Sequence, residues 1–368
     1  MTPLRAIFTL RRPLVVLMAA SIPITTPFAT RGAAPAAIPT PAATPSAAAS
    51  TAATPPPPIH PVSPALLPGG GLAGHPFLYA GETERRRPEQ TMSIVRGGKV
   101  VWTYSIPGRS ADGHAQEISD AWMLSGSNVL FSRETGAMEV TPDKRIVWQY
   151  EAPPGCEVHA VQPVDKERVF IMQNGTPARA MIINTTTGKI EKQTPIPAAP
   201  TPHGQFRHAS LTAAGTIIAP HLNEGRVAEY DWTGRELWSV PAPSVWAATR
   251  LRNGNTLISL ERSGVREVNP KGETVWELTQ ADLPGITLVS TQEASRLANG
   301  DTLICNWASG RVPLAEWPKV VQLIEVTPQK KVVWAIRSWA PPADLGPATS
   351  VQLLDEPGLP ESPGQLQR

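Results

Sequence analysis

The stretch NGNTLISLERSGVREVNPKGETVWEL, residues 253–278, places three turn signals among short apolar runs. Asn253-Gly254 favours a tight hairpin turn, and Ser263-Gly264 and the sequence NPKG at 269–272 supply the other two. The runs between them are rich in Val, Ile, Leu and Thr, which is typical of β-strands. Together with WAATRL before Asn253, the stretch predicts four consecutive antiparallel strands.

The tryptophan near the end of this stretch recurs along the chain. The segments GKVVWTY, KRIVWQY, GKIEKQT, GRELWSV, GETVWEL and KKVVWAI align on positions 102, 148, 192, 238, 276 and 334, and only Lys192 departs from tryptophan. A strand repeat with a period in the forties indicates a propeller with one blade per repeat. We expect the tryptophan to be a wedge packed between blades rather than a ligand-stacking residue.

The chain ends predict how the ring closes. The N-terminal repeat, from HPFLYAGE to KVVWTY, lacks a first strand, and ATSVQLL at 348–354 supplies one. The sequence therefore predicts an all-β fold over 73–356, a six-bladed β-propeller of four-stranded blades closed by N- and C-terminal strands. Because closure pairs both edge strands, the ring gives no reason to require an oligomer, and we expect a monomer.

The regions outside the repeats predict an exported protein. Residues 1–29 combine a basic start with the apolar PLVVLMAASIPITTPFA and are predicted to be a signal peptide, although an uncleaved anchor is an alternative. Residues 30–72 are predicted to be a Pro/Ala-rich disordered linker, or a disordered leader without a role, and 357–368 a disordered tail. We expect a periplasmic or secreted protein with no transmembrane span in the mature chain, N-terminal tethering being the alternative.

The net charge bears on the class of partner, and the cysteine content bears on disulfide bonding. The net charge is +2, and removing residues 1–29, which hold three arginines and no acidic residue, leaves −1. A nearly neutral body argues against nucleic acid as a partner. The two cysteines, Cys156 and Cys305, fall in non-adjacent repeats, so we expect them unpaired.

The repeat motif EV-x-P-x-G/K-x-VVW, followed through most of residues 75–356, resembles two known families. It is similar to the pyrroloquinoline-quinone-like propeller repeats and to the arylsulfotransferase-like propellers of bacterial envelopes. The second resemblance implies an enzyme in which a channel histidine carries a sulfuryl group while arginine and histidine steady the charge. His159, His208 and Arg207 are the candidates by position.

The candidate site follows from the first strand of each blade, which lines the channel of a propeller. The residues before the aligned alanine of five first strands are Asp120, His159, His208, Ala247 and Glu293. Four of the five are ionisable, and a ring would bring them together near its axis. Nearby polar residues complete a predicted funnel, and a long connection in the last repeat adds an aromatic residue: Glu157, His203, Gln205, Arg207, Gln292 and Trp307.

The funnel has two interpretations. It could bind a small anionic or sugar-like ligand, with Arg207 forming a bidentate pair with an anion, or it could be a water-filled channel whose polar groups satisfy one another. We expect no cofactor, and we expect no metal site because His159, His208, Asp120 and Glu293 come from four blades. Trp307 and Trp317 could stack on a ligand or cap the propeller.

Three functions compete at this stage. The first is an exported module that binds a ligand in the funnel, or an envelope protein or polysaccharide. The second is the arylsulfotransferase-like enzyme. The third is a quinone-dependent dehydrogenase, which ranks last because those enzymes usually have eight blades and adjacent paired cysteines. The sequence assigns no catalytic residue.

Overall fold

The computed structural model describes residues 58–63, 67–111, 113–308 and 310–366. The predicted signal peptide and the linker up to residue 57 lie outside the described residues. No helix in the described part of the chain is long and apolar enough to cross a bilayer.

Six antiparallel sheets of four strands each form the described fold. Blade 1 consists of β1 (Phe77–Ala80), β2 (Glu89–Arg96) and β3 (Lys99–Pro107), completed by the last strand of the chain, β24 (Ser350–Leu353). Blade 2 consists of β4 (Ile118–Met123), β5 (Val129–Arg133), β6 (Gly136–Val140) and β7 (Ile146–Glu151). Blade 3 consists of β8 (Glu157–Pro163), β9 (Arg168–Asn174), β10 (Ala178–Asn184) and β11 (Ile190–Ile196).

The second half of the ring repeats the same plan. Blade 4 consists of β12 (Ser210–Leu211), β13 (Ile217–His221), β14 (Arg226–Tyr230) and β15 (Glu236–Pro241). Blade 5 consists of β16 (Val245–Arg250), β17 (Thr256–Leu260), β18 (Gly264–Val268) and β19 (Thr274–Leu278). Blade 6 consists of β20 (Thr291–Arg296), β21 (Thr302–Asn306), β22 (Leu323–Val326) and β23 (Val332–Ile336). Short 3-10 helices span Gly71–Ala73, Pro202–Gly204, Gln280–Asp282 and Leu314–Lys319.

The three predicted turns of residues 253–278 separate the four strands of blade 5. Gly264 shows why a glycine is needed at the second turn. Its φ is +88°, and a Cβ there would lie 2.0 Å from the carbonyl oxygen of Leu278. A side chain at this position would therefore disrupt the pairing of β18 with β19.

The predicted ring closure is confirmed. Strand β24 pairs antiparallel with β1, with Leu78 opposite Gln352 and Tyr79 opposite Val351. The C-terminal strand thus becomes the first strand of blade 1, so the two ends of the propeller share one sheet. The six-bladed, four-stranded prediction is confirmed with it.

The repeated tryptophans join neighbouring blades, as predicted. The indole Nε1 of Trp238 donates to the carbonyl of Pro270 at 2.9 Å, in the last turn of the next blade. Trp102 and Trp276 make the equivalent bonds to Pro142 and Pro328, each at 2.9 Å. Apolar side chains fill the space between the blades, as Leu257 and Val265 of blade 5 do against Ile304 and Ile324 of blade 6.

The segments that flank the propeller also contact it. Ile59 and Val62 of the expected linker are buried, and Trp334 donates to the carbonyl of Gly71 at 2.7 Å. At the other end, the sequence favours disorder over 357–368. The structure describes residues up to 366, and there Glu361 accepts hydrogen bonds from the backbone and hydroxyl of Ser125 at 2.6 Å.

Candidate functional site

β-Bulges in the first strands turn three of the sequence-predicted residues toward the central channel. The first strands of adjacent blades contact one another, as β4 contacts β8 and β24, and β16 contacts β20. In four of these strands the register with the second strand shifts between the residues Ile118/Ala121, Val158/Ala160, Val245/Ala247 and Thr291/Ala294. A bulge inserts an extra residue and bends the strand. The residues inside these bulges include Asp120, His159 and Glu293, three of the sequence-predicted positions.

Asp120 and His208 form a buried ion pair near the axis. The Nδ1 atom of His208 lies 2.5 Å from Oδ1 of Asp120, and Oδ2 of Asp120 accepts the backbone N–H of Val161 at 2.9 Å. Burial opposes the charge on His208, but the charge and hydrogen bond of Asp120 outweigh it and raise the pKa of His208 to about 9. The φ of His208 is +36°, a strained value for a residue other than glycine.

Glu293 faces the same pair from blade 6. Burial raises the pKa of Glu293 to about 7, and the neighbouring charge on His208 partly opposes that rise. Asp120, His208 and Glu293 therefore converge from three blades, as the sequence predicted.

His159 and His203 meet over one carboxylate at the channel entrance, the end where the first strands begin. Oε2 of Glu157 lies 2.9 Å from Nε2 of His159 and 3.1 Å from Nδ1 of His203. Burial and the charge of Arg207 lower the pKa of His159 to about 3, so this ring is neutral at pH 7. Burial acts against ionisation of Glu157, yet the hydrogen bonds to both histidines hold its pKa well below the usual range.

Three further carboxylates of the entrance, on Glu82, Glu117 and Glu134, were missed by the sequence analysis. Glu82 accepts hydrogen bonds from Ser119 at 3.1 Å and from Gln292 at 3.0 Å, and Glu134 lies near Glu157. Burial, followed by the charge of Glu117, raises the pKa of Glu82 and of Glu134 to about 7. Glu82 and Glu134 each follow the second strand of a blade. Because that strand runs antiparallel to the first, it ends at the entrance, and this topology is the signal that could have found them.

Gln205 and Arg207 both make hydrogen bonds to backbone groups of neighbouring loops. The side chain of Gln205 donates to the carbonyls of Gly175 and Ala199 and accepts the N–H of Gly175, so it holds the loops together. Arg207 is 2% exposed, and its guanidinium donates to the carbonyls of His203 and Phe206. Both carbonyl bonds come from Nη1, and Nη2 lies 3.2 Å from Nε2 of His203, whereas Nε has no partner among the described residues.

The aromatic residues of the long connection divide into two roles. Trp307 donates to the carbonyl of Glu82 at 3.3 Å, and its ring lies 5.6 Å from that of Trp246 beside the channel. Trp317 is fully buried and packs against Trp339. Trp317 is therefore a capping residue, whereas Trp307 belongs to the wall of the site.

Several buried polar atoms of the channel have no hydrogen-bond partner among the described residues. They are Nε of Arg207, Nε2 of His208, Nε1 of Trp246, Oε1 of Gln292, Oε2 of Glu293 and Oε2 of Glu134. An unpaired buried polar group costs about 1–3 kcal/mol. Such a concentration along one channel favours a solute that carries both hydrogen-bond donors and acceptors.

Two sets of side chains could hold a metal ion. In each set the donor atoms lie within 4.8 Å of one another: Glu117, His159 and His203 in the first, and Glu134, Glu157 and His203 in the second. The set considered from the sequence, His159 with His208, Asp120 and Glu293, is not one of them.

The far end of the channel is covered by the C-terminal segment. A cavity of about 90 Å³ extends from Asp120, His208 and Glu293 to Pro363 and Leu366. Arg252 of blade 5 donates to the carbonyl of Gly364, while Ser125 of blade 2 contacts Glu361. The segment therefore crosses the channel at this end.

Comparisons with known proteins support the fold. No protein-family model matches the chain, and no curated protein sequence matches it either. The crystal structure of a protein of unknown function from Bacteroides caccae is similar, with a TM-score of 0.65 and 24% identity over 75% of this chain and 98% of that chain.

More distant propellers resemble the chain less. The WD40 β-propeller domain of Doa1 has a TM-score of 0.45 and 17% identity, covering 62% of this chain and 70% of that chain. Virginiamycin B lyase from Staphylococcus aureus has a TM-score of 0.44 and 12% identity, covering 62% of this chain and 72% of that chain. None of these comparisons confirms the pyrroloquinoline-quinone-like or the arylsulfotransferase-like assignment.

Proposed function

We propose that this β-propeller is a ligand-binding module whose ligand enters the central channel beside Glu157 and reaches Asp120, His208 and Glu293. The observation that carries the proposal is the set of buried, unpartnered polar atoms on Arg207, His208, Trp246, Gln292, Glu293 and Glu134. These atoms come from four blades, and two of the residues, His208 and Glu293, line the cavity of the channel. A ligand that satisfies them would recover about 1–3 kcal/mol for each group it pairs.

The charges favour a hydroxylated, sugar-like ligand over an anion. Four carboxylates surround the entrance, on Glu82, Glu117, Glu134 and Glu157, and the guanidinium of Arg207 already donates to backbone carbonyls. Hydroxyl groups both donate and accept, so they suit the mixture of imidazolium, amide and carboxylate groups. Trp246 and Trp307 offer aromatic faces beside these polar groups, a combination typical of sugar recognition.

We place this activity outside the cytoplasm. The proposal rests on the basic and apolar start of the chain and on the Pro/Ala-rich segment that follows it. A hydroxylated ligand could then be a free sugar or part of an envelope polysaccharide.

The Asp120–His208 pair favours acid catalysis as a second candidate function. His208 is oriented by Asp120 at 2.5 Å, and its Nε2 faces the channel without a partner. With its pKa raised to about 9, His208 carries a proton at pH 7 and can donate it. A histidine that carries a sulfuryl group must be neutral to attack, so this charge state argues against His208 in that role and leaves the neutral His159 as the candidate for arylsulfotransferase-like chemistry.

A thermal-shift screen of the full chain tests the proposal. The panel contains neutral oligosaccharides, aryl sulfates and pyrroloquinoline quinone, each applied to the wild type, to His208→Asn and to the exposed control His60→Asn. A ligand at 100 times its Kd adds about 2.7 kcal/mol of stability. We expect an oligosaccharide to shift the wild type and His60→Asn but not His208→Asn. An equal shift in a folded His208→Asn variant would exclude the channel as the site.

A further inference from the structure

Five potential metal ligands meet at the channel entrance, and we call them the entrance cluster: Glu117, Glu134, Glu157, His159 and His203. Glu117 precedes β4, Glu134 follows β5, Glu157 and His159 lie in β8, and His203 lies in the 3-10 helix Pro202–Gly204. The chain therefore brings together residues up to 86 positions apart, from Glu117 to His203.

The spacing of the donor atoms suits a single ion. Within each of the two triads the donors lie within 4.8 Å of one another. Donors about 2.1 Å from a common ion at tetrahedral angles lie about 3.4 Å apart, so the donors of a triad must approach one another by up to about 1.4 Å when the ion binds. Oε2 of Glu157 and Nδ1 of His203, two donors of the second triad, already lie 3.1 Å apart.

Glu134 provides an independent indication of a ligand. Its side chain is 9% exposed, and Oε2 has no hydrogen-bond partner among the described residues. A carboxylate that served only to pair with its neighbours would have that oxygen satisfied. Instead the group belongs to the triad with Glu157 and His203, and a cation between these residues would satisfy it.

The charges of the entrance cluster, and the side chains that contact its members, also fit a bound cation. Three carboxylates surround two imidazoles, and the cation that faces them is Arg207, whose guanidinium lies 3.2 Å from Nε2 of His203. A divalent ion would offset the remaining negative charge. Nε2 of His159 lies 2.9 Å from Oε2 of Glu157, a contact of the kind that orients a metal-binding carboxylate.

We infer that the entrance cluster binds one divalent transition-metal ion of the Zn²⁺ type, through the imidazole of His203 and the carboxylates of Glu134 and Glu157, with water in the fourth position. Imidazole nitrogen suits zinc and its neighbours in the first transition series, and carboxylate completes the set. The inference goes beyond the proposed function, because the ion lies at the entrance and not at the Asp120–His208 pair.

Metal titration of the untagged full chain tests the inference. The chain is first treated with a chelator, then titrated with Zn²⁺ by calorimetry and with Co²⁺ by visible absorption, which reports the coordination directly. We expect binding of one ion per chain and visible Co²⁺ bands typical of nitrogen and oxygen ligands. Glu134→Gln and His203→Ala should each weaken Zn²⁺ binding by tenfold or more.

Matched controls are available on the surface. Glu191→Gln and His60→Ala change the same residue types at exposed positions outside the cluster, and both should leave the Zn²⁺ affinity unchanged. Glu134→Gln keeps the shape of the side chain, so it tests the ligand even if His203→Ala unfolds. Absence of stoichiometric binding in the wild type, or equal affinity in folded Glu134→Gln, would overturn the inference. The oligosaccharide screen without metal separates this outcome from failure of the proposed function.

Discussion

His159 and His208 occupy equivalent positions in adjacent blades, yet at pH 7 His159 is neutral and His208 is protonated. Each precedes the aligned alanine of its repeat, and each is buried, at 1% and 6% exposure. The pKa of His159 is lowered to about 3 by burial and by Arg207, whereas Asp120 overcomes burial and raises that of His208 to about 9. The difference shows that the repeat fixes where a side chain lies, and that its neighbours in space decide what chemistry it can perform.

Removing the partner of His208 should have the largest effect. Asp120→Asn leaves the imidazole buried without its counter-charge and weakens the bond to the backbone of Val161. Breaking a buried pair in this way costs about 3 kcal/mol or more, so we expect a loss of that size in the free energy of unfolding, measured with urea at pH 7. A loss below about 1 kcal/mol would mean that His208 and His159 do not differ in charge.

The same comparison predicts a pH dependence. The pKa of His208 is raised above its unfolded value of 6.5 to about 9, so its contribution to stability is fully present below pH 6.5 and is lost as the pH rises through 9. Between pH 7 and pH 9 this linkage removes about 2 kcal/mol.

Urea unfolding of the wild type and of His208→Asn across that range checks the expectation. The variant should show a shallower decline. Some decline should persist, because the hydrogen bond to Glu325 raises the pKa of His75 to about 9 as well. Parallel curves for the two proteins would contradict a charged His208.

Removing the partner of His159 should cost less. Glu157→Gln keeps a hydrogen-bonding side chain next to a neutral ring, so we expect a loss of about 1 kcal/mol in the free energy of unfolding. His159 should stay neutral at pH 7, because burial and Arg207 still lower its pKa. The NMR chemical shift of the ring carbon between the two nitrogens reports the charge state, and a protonated His159 in this variant would contradict the explanation.

The smallest effect is expected at Glu293. Burial raises its pKa to about 7, so the protonated form, which Glu293→Gln imitates, is already well populated near neutral pH. We expect a change of less than about 0.5 kcal/mol in unfolding and a small decrease in the pKa of His208, which Glu293 helps to raise. The two quantities are measured by urea unfolding and by NMR titration, and a loss as large as that of Asp120→Asn would show that Glu293 is a full partner of His208.

Local sequence signals alone determined the blades. Turn dipeptides, β-prone runs and the recurring tryptophan act over a few residues, so their spacing was enough to predict six four-stranded blades and the closing strand β24. The first-strand positions of Asp120, His159 and Glu293 followed from the same alignment, because each blade presents its first strand to the axis, whereas His208 lies two residues before the short first strand of blade 4.

Only the tertiary structure decided how these residues act. The bulges that turn Asp120, His159 and Glu293 into the channel depend on the pairing of two strands. The sequence of one strand does not specify these bulges. Glu82 and Glu134 lie at the entrance because the second strand of each blade runs antiparallel to the first. Gln205 and Arg207 make hydrogen bonds to neighbouring loops. Residues 357–366 cross the far end of the channel. The charge of a side chain, its hydrogen-bond partners and its access to solvent depend on groups that are distant in sequence. The repeat pattern therefore does not predict them.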